Sequence, residues 1–376
     1  MGTSIQWRTS KTSIMSTSQE LQRFGHHLIL GLSGTALSDD DKRLLSDLKP
    51  VGVIFYAKNF SVGAPYEAWL QRFKELVEQV RQYSERDSMF MTIDHEGGSV
   101  IRPPLPITRF PHAFLLGELA FEVARATALE LKSLGINVSF APVADIFSNP
   151  VNPIIGARAF GATPIAAARG ACDYYKGLVE SGIVGCAKHF PGHGDTSTDS
   201  HIELPILNLT VEQLRERELI PFKALIEEQV PMMMTAHILF PKIDADVPAT
   251  LSPRILHSLL REELSFKGVV VSDDLDMKAI SDRFAQSGTV AQAFKAGCDL
   301  FIVSRNLPSS SIDRSIAIAR DFTDSLSNGS LDESVVEAAK ARIEKLLSTT
   351  AQYSIHALDQ DTLLRHAELA IRSTGA

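Results

Sequence analysis

The chain has 376 residues, 44% hydrophobic and 22% charged, with a formal charge of −8. That is the composition of a soluble globular protein long enough to bury a full core without staples. The negative balance, with no Lys/Arg cluster to override it, argues against a general nucleic-acid binder. Three cysteines, Cys172, Cys186 and Cys298, are odd in number and widely spaced. They fit a reduced compartment better than a disulfide framework or a zinc ribbon.

Residues 1–20 are rich in Ser and Thr, carry Arg8 and Lys11, and have no acid before Glu20. Without an apolar h-region they do not form a secretory signal, and Gln6 stands where a myristoylation signal needs Ser or Thr. The expectation is a disordered tail on a cytoplasmic protein, with an organellar transit segment as the lesser alternative. No run of roughly 18 apolar residues is present, so no membrane span is expected.

From there, short β-rich runs alternate with amphipathic segments. The predicted strands are His27–Leu32, Val51–Tyr56, Met89–Ile93, Val138–Ala141, Ile183–Ala187, Pro231–Ala236, Gly268–Ser272 and Leu300–Ser304. Between them fall predicted helices at Ala64–Tyr83, Phe121–Leu134, Pro164–Ser181, Val211–Gln229, Pro253–Leu264 and Met277–Ala296. The first of these carries Leu70, Phe73, Leu76, Val77 and Val80 near 3.6 spacing. Ser38 before three acids, Thr163-Pro164, Thr210 and Ser252-Pro253 are start signals, and Gly182 and Gly297 stand where C-caps are expected. Ser309–Leu326 and Leu331–Leu347 follow as two further helices.

Eight strands alternating with helices predict an α/β fold, a (β/α)8 TIM-type barrel with an additional C-terminal helix. A doubly wound open sheet is the alternative. The polar residues separate the two. Asp94, Asp145, Lys188-His189, His237, Asp273-Asp274 and Ser304-Arg305 stand at or just beyond the carboxyl ends of six strands. In a barrel all those ends converge, whereas an open sheet would concentrate such groups at its switch point. No G-x-G-x-x-G follows the first strand, which removes the dinucleotide reading. The expected organisation is a tail over residues 1–20, a catalytic barrel over 21–349, and a C-terminal tail over 350–376 that would link to a second domain.

The most informative stretch runs from Lys188 to His201. Two cationic side chains end a buried strand, Pro191, Gly192 and Gly194 fix a tight loop, and Asp199-Ser200-His201 follows. In an extended segment residues i and i+2 share a side, so Asp199 can hold the His201 ring and raise its basicity, which suits a proton donor near neutral pH. Asp273 ends the apolar run Val269-Val270-Val271-Ser272 and is the candidate catalytic carboxylate. Asp274 is the better candidate for a helix N-cap. Asp94, before the glycine pair Gly97-Gly98, could accept hydrogen bonds from sugar hydroxyls. Arg102, Arg158 and Lys188 are candidate partners for hydroxyls or anionic groups. A metal-dependent hydrolase is the alternative, with His189, His193, His201, His237 and Asp273 lining one cavity. Lys188 beside His189 would repel the cation, so neither metal nor cofactor is expected.

Lys188-His189-Phe190-Pro191-Gly192-His193-Gly194 followed by Asp199-Ser200-His201 resembles the signature of the β-N-acetylglucosaminidases of glycoside hydrolase family 3. Matches at Ile93–Gly98, Ser139–Asp145, Ile155–Phe160, Met234–His237 and Gly268–Leu275 extend the resemblance over roughly residues 25 to 345. It implies Asp273 as nucleophile, His201 as general acid/base with Asp199 as its dyad partner, and Asp94, Arg102, Arg158, Lys188 and His189 as residues that bind the terminal N-acetylglucosamine. It also implies a retaining mechanism through a covalent glycosyl-enzyme, with water and, as a second acceptor, phosphate. His95 and Ser99 stand where the family often has Gln and Arg. The missing cation leaves two substrate classes open, chitooligosaccharides and cell-wall N-acetylglucosaminyl-muramic compounds. A non-catalytic sugar-binding barrel is the remaining alternative. The number of subunits is not legible.

Overall fold

The computed structural model describes residues 19–198, 203–307 and 312–374. Eight parallel strands close into a barrel in the order β1-β10-β9-β6-β5-β4-β3-β2. They are β1 Leu28–Gly31, β2 Gly52–Phe55, β3 Phe90–Ile93, β4 Val138–Ser139, β5 Val184–Phe190, β6 Met232–Thr235, β9 Val269–Asp274 and β10 Leu300–Val303. Each coincides with a predicted run. Between β6 and β9 a small antiparallel hairpin intervenes, β7 Leu239–Phe240 with β8 Asp244–Pro248. It has no alternating pattern and is not legible in the sequence.

Alternation along each strand sorts side chains between two cores, because successive residues point to opposite faces. Ile29, Ile54, Phe90, Cys186, Met232, Met234, Val269, Val271, Leu300 and Ile302 fill the barrel interior. Leu28, Leu30, Val53, Phe55, Ala187, Phe190 and Val270 belong to the outer core beneath the helices. Helix Glu333–Thr349 brings Ile343, Leu346 and Leu347 onto the interior cluster.

The start signals act as expected. Ser38 and Asp41 form a reciprocal capping box at helix Asp39–Leu48. Thr163 caps Pro164–Glu180, and Thr210 pairs reciprocally with Gln213. The segment predicted as one helix from Met277 to Ala296 is instead two, Lys278–Ser281 and Thr289–Ala296. Gly288 at φ 85 interrupts it. Asp321, from a distant helix, accepts the amides of Gly288 at 2.6 Å and Val290 at 3.0 Å, satisfying the second helix's start.

Beyond Thr349 the chain runs along the barrel wall. Asn137 Nδ2 donates to Ala351 O at 3.1 Å, and the His356 backbone amide to Ser133 O at 3.0 Å. Helix Gln360–Arg372 then sets His366 Nδ1 2.8 Å from Glu130 Oε1, and both side chains are buried.

Candidate active site

The inner-face register decides which polar groups reach the barrel mouth. Val269 and Val271 face inward, so the next residue in phase, Asp273, does too. Cys186 faces inward, so Lys188 follows it up. Asp94 stands one residue beyond β3. A cavity of about 160 Å³ at this end is lined by Asp94, Glu96, Arg102, Arg158, Lys188, His189, His193 and Asp273, with Val100, Ile154, Met234 and Met277. Six of the eight expected site residues are therefore in one place. Asp199 and His201 lie outside the described residues.

The cations are held by carboxylates. Lys188, 2% exposed, places Nζ 2.8 Å from Asp94 and 2.7 Å from Glu96. Arg158 meets Glu96 through Nε at 2.8 Å and Nη2 at 2.9 Å, and donates to Ile154 O at 3.0 Å. Arg102 lies 3.7 Å from the other Asp94 oxygen, with its guanidinium 5.4 Å from the centre of the Tyr56 ring. Glu96, absent from the expected site, is the hub. Burial alone would raise its pKa, but Arg158 and Lys188 hold it well below the usual carboxylate range. Burial disfavours the charged form of Lys188 as well, and Asp94 and Glu96 reverse that and keep it protonated. The clue to Glu96 is its i+2 spacing from Asp94.

Asp145, also absent from the expected site, organises the β5 end. Its fully buried carboxylate accepts from His189 Nδ1 at 2.7 Å and from the His193 amide at 2.7 Å. The bond to Nδ1 fixes which nitrogen of His189 is left for a ligand. His193 turns Nδ1 to Thr196 Oγ1 at 2.9 Å, and burial lowers its pKa to about 4. His237 is bound on both ring nitrogens, by Thr250 Oγ1 at 2.7 Å and by Asp274 O at 3.2 Å. Among the described residues no group of three His, Cys, Asp or Glu side chains converges to hold a metal ion. Of the imidazoles counted in the metal alternative, His237 engages the protein through both ring nitrogens, His189 and His193 engage it through Nδ1, and His201 lies outside the described residues.

The two adjacent aspartates diverge. Burial pushes the Asp273 carboxyl up, but His189, His237, the Asp274 amide and Lys188 more than offset it, so the group lies below its ordinary value and stays ionised. The Asp274 amide donates to it at 2.7 Å. Asp274 points the other way. Burial and Asp276 push it up to about 7. It accepts the Ser304 amide at 3.0 Å and the Asp276 amide at 3.1 Å, and Ser304 Oγ bonds its second oxygen. The expected N-cap at Asp274 is not formed, since helix Lys278–Ser281 has no side-chain cap. The Gly97-Gly98 pair is required by the local backbone and packing. Both residues have positive φ, 93 and 56, and a Cβ on Gly98 would fall 2.1 Å from His112.

The loop after β5 is anchored by neighbouring segments. Asn152 Nδ2 donates to His193 O at 2.9 Å and Gly194 O at 3.0 Å. Arg217 bridges Asp195 and Glu218, each at 2.6 Å. Gly194 is required here, because a Cβ would meet Ile146 O at 1.7 Å.

The family model for the glycosyl hydrolase family 3 N-terminal domain matches residues 20–346. The chain belongs to glycosyl hydrolase family 3. It is a member of a family of glycosidases, and its relatives carry hexosaminidase names. Beta-hexosaminidase A of Pseudoalteromonas piscicida is 33% identical over 85% of this chain and 57% of its own length. The chain thus spans a little over half of that longer relative. The family 3 β-N-acetylglucosaminidase of Paenibacillus sp. FPU-7 superposes with a TM-score of 0.84 at 34% identity, covering 94% of this chain and 67% of that one. NagZ of Neisseria gonorrhoeae, solved with N-trifluoroacetyl-D-glucosamine, gives a TM-score of 0.69 at 27% identity over 93% of this chain and 97% of its own.

Proposed function

We propose that the chain is an exo-acting, retaining β-N-acetylglucosaminidase. The observation that carries this is Asp273, a carboxylate kept ionised in a cavity whose lining also presents Asp94, Arg102 and Lys188. A buried carboxylate facing hydrogen-bonding groups suited to hydroxyls is what glycosyl transfer to an enzyme nucleophile needs. The hexosaminidase names of the relatives and the N-acylglucosamine analogue bound to NagZ support an acetamido sugar.

In the first step an Asp273 oxygen forms a bond to the anomeric carbon while the bond to the leaving oxygen breaks. That oxygen takes a proton from His201, whose ring Asp199 orients. In the second step His201 removes a proton from water, the water oxygen bonds the anomeric carbon, and Asp273 leaves as a carboxylate. Asp94, Arg102, Arg158, Lys188 and His189 hold the terminal ring. Phosphate is a second acceptor. In the described cavity Asp94, Glu96 and Asp273 face Arg102, Arg158 and Lys188, three charges of each sign, so an incoming anion meets no net repulsion. The substrate is a chitooligosaccharide or a cell-wall N-acetylglucosaminyl-muramic compound.

The test is release of 4-nitrophenol from its β-N-acetylglucosaminide. Asp273→Ala is expected to lose on the order of 10⁶-fold in kcat, the scale seen when a nucleophile is removed. A binding-only barrel would bind N-acetylglucosamine and turn over nothing. Acceleration of glycosyl-enzyme breakdown by added phosphate is expected, and its absence removes phosphate as an acceptor.

A further inference from the structure

The strand that carries Asp273 is irregular where Asp273 stands. Val271 pairs with Leu300 and Asp274 with Ile302, so β9 has one residue more than β10 between the two pairings. A bulge of this kind re-aims the side chains beside it. Its ends are tied to one residue of β10. The Ile302 amide donates to Ser272 Oγ at 3.2 Å, and Ile302 O accepts the Leu275 amide at 2.9 Å. Asp273 and Asp274 lie between these two bonds.

Asp274 fixes the shape of the bulge. Its buried carboxyl accepts the Ser304 amide at 3.0 Å and the Asp276 amide at 3.1 Å, and its second oxygen bonds Ser304 Oγ. Ser304, one residue beyond β10, is fully buried. The Asp274 carbonyl is held as well, by His237 Nε2 at 3.2 Å. Between these anchors the Asp274 amide donates to Asp273 Oδ1 at 2.7 Å. Among the described residues no other hydrogen bond reaches the Asp273 carboxylate. One of its oxygens is thus occupied by a fixed N–H, and Oδ2 is left for the anomeric carbon. Neither Asp274 nor Ser304 lines the cavity, so their influence reaches a sugar through Asp273.

We infer that Asp274 is the positioning residue of the nucleophile: clamped to Ser304, it aims the amide that occupies Asp273 Oδ1, so that Oδ2 is the oxygen that bonds the sugar. This rests on the retaining β-N-acetylglucosaminidase reading and deepens it. A donor fixed in place before the reaction costs no reorganisation during it. It also keeps the attacking oxygen within the narrow range that displacement at carbon requires.

The experiment follows the labelling of Asp273 by a 5-fluoro N-acetylglucosaminyl fluoride, by intact-protein mass spectrometry at pH 6. In that step an Asp273 oxygen bonds the anomeric carbon and fluoride leaves. At pH 6 Asp274, raised to about 7, is mostly uncharged, so Asp274→Asn alters neither its charge nor its acceptor for the two amides. The first-order rate constant at saturating donor is independent of the folded fraction, which is what a purely structural role would change. Asp274→Ala is expected to lower that constant by about 10- to 100-fold, the scale of a displaced reacting group, at an unchanged half-saturating concentration. Asp274→Asn is expected to restore most of the loss. Ser304→Ala keeps the Ser304 amide and removes the hydroxyl. It is expected to be slower by about three- to tenfold, the value of one hydrogen bond, and it carries the test if Asp274→Ala does not fold. Three results overturn the assignment and leave the retaining reading intact. They are a wild-type rate constant in the alanine variants, a raised half-saturating concentration at an unchanged limiting rate, and Asp274→Asn as slow as Asp274→Ala. No label on wild type overturns both.

Discussion

At the residue scale, position in the strand repeat settles chemistry. Asp273 and Asp274 are neighbours with the same side chain, yet one is held below its ordinary pKa and the other is raised to about 7. The inward place of Asp273 was legible, since it continues the phase of Val269 and Val271. The opposite fate of Asp274 was not, because its partner Ser304 lies 30 residues away. A folded pKa raised above the unfolded value means that the native state binds the extra proton. That favours folding below the unfolded value near 4 and is lost as pH rises through about 7. Asp274→Asn, a neutral isostere, is therefore expected to exceed wild type in thermal unfolding by a margin that grows from pH 5 to pH 7 and levels off by pH 8. Glu96 escaped the sequence reading for the same reason, since its partners Arg158, from the loop after β4, and Lys188, from β5, are distant in the chain. Glu96→Gln leaves Arg158 buried without its counter-charge. It is expected to cost about 3 kcal/mol in denaturant unfolding and to raise KM for the acetamido sugar.

At the element scale, local signals gave the strands and the caps, and distant partners gave the exceptions. The break at Gly288 depends on Asp321, and the loop after β5 is held by Asn152 and Arg217 from other segments. The C-terminal helix is a further case. His366 bonds Glu130, which also accepts the Thr108 amide at 2.9 Å and its hydroxyl at 2.5 Å. One buried carboxylate thus joins helix Gln360–Arg372 to the loop that follows Arg102. Glu130→Ala strands a buried hydroxyl, an amide and an imidazole. The expected results are a loss of about 2–4 kcal/mol and faster amide exchange over residues 360–372 by mass spectrometry. Unchanged exchange there would mean that apolar contacts of Leu369 and Ala370 hold the helix by themselves.

At the scale of the whole molecule, eight parallel strands bring chemistry from separate segments to one mouth, and this is what the sequence made most legible. Burial costs charge, and three buried histidines register it. His27, His95 and His193 each have pKa values lowered to about 4 by burial. Between pH 6.5 and 4 the unfolded chain binds protons that the native state refuses, so stability falls as pH falls, by up to roughly 4 kcal/mol per pH unit if all three act together. Urea unfolding at pH 7, 6 and 5 is expected to show a midpoint that drops at each step. Glu96, Asp145 and Asp273, all held below their ordinary values, extend the loss at lower pH.

The whole mechanism turns on Asp273 as the group that takes the sugar. It is tested most directly by trapping. The protein is incubated with a 5-fluoro N-acetylglucosaminyl fluoride, which slows breakdown of a glycosyl-enzyme, then digested and sequenced by mass spectrometry. One added sugar is expected on the peptide that contains Val269–Asp274, attached at Asp273, and none in Asp273→Ala. A sugar attached to Asp94, to Glu96 or to Asp274, or rapid turnover with no covalent species in either protein, would contradict it.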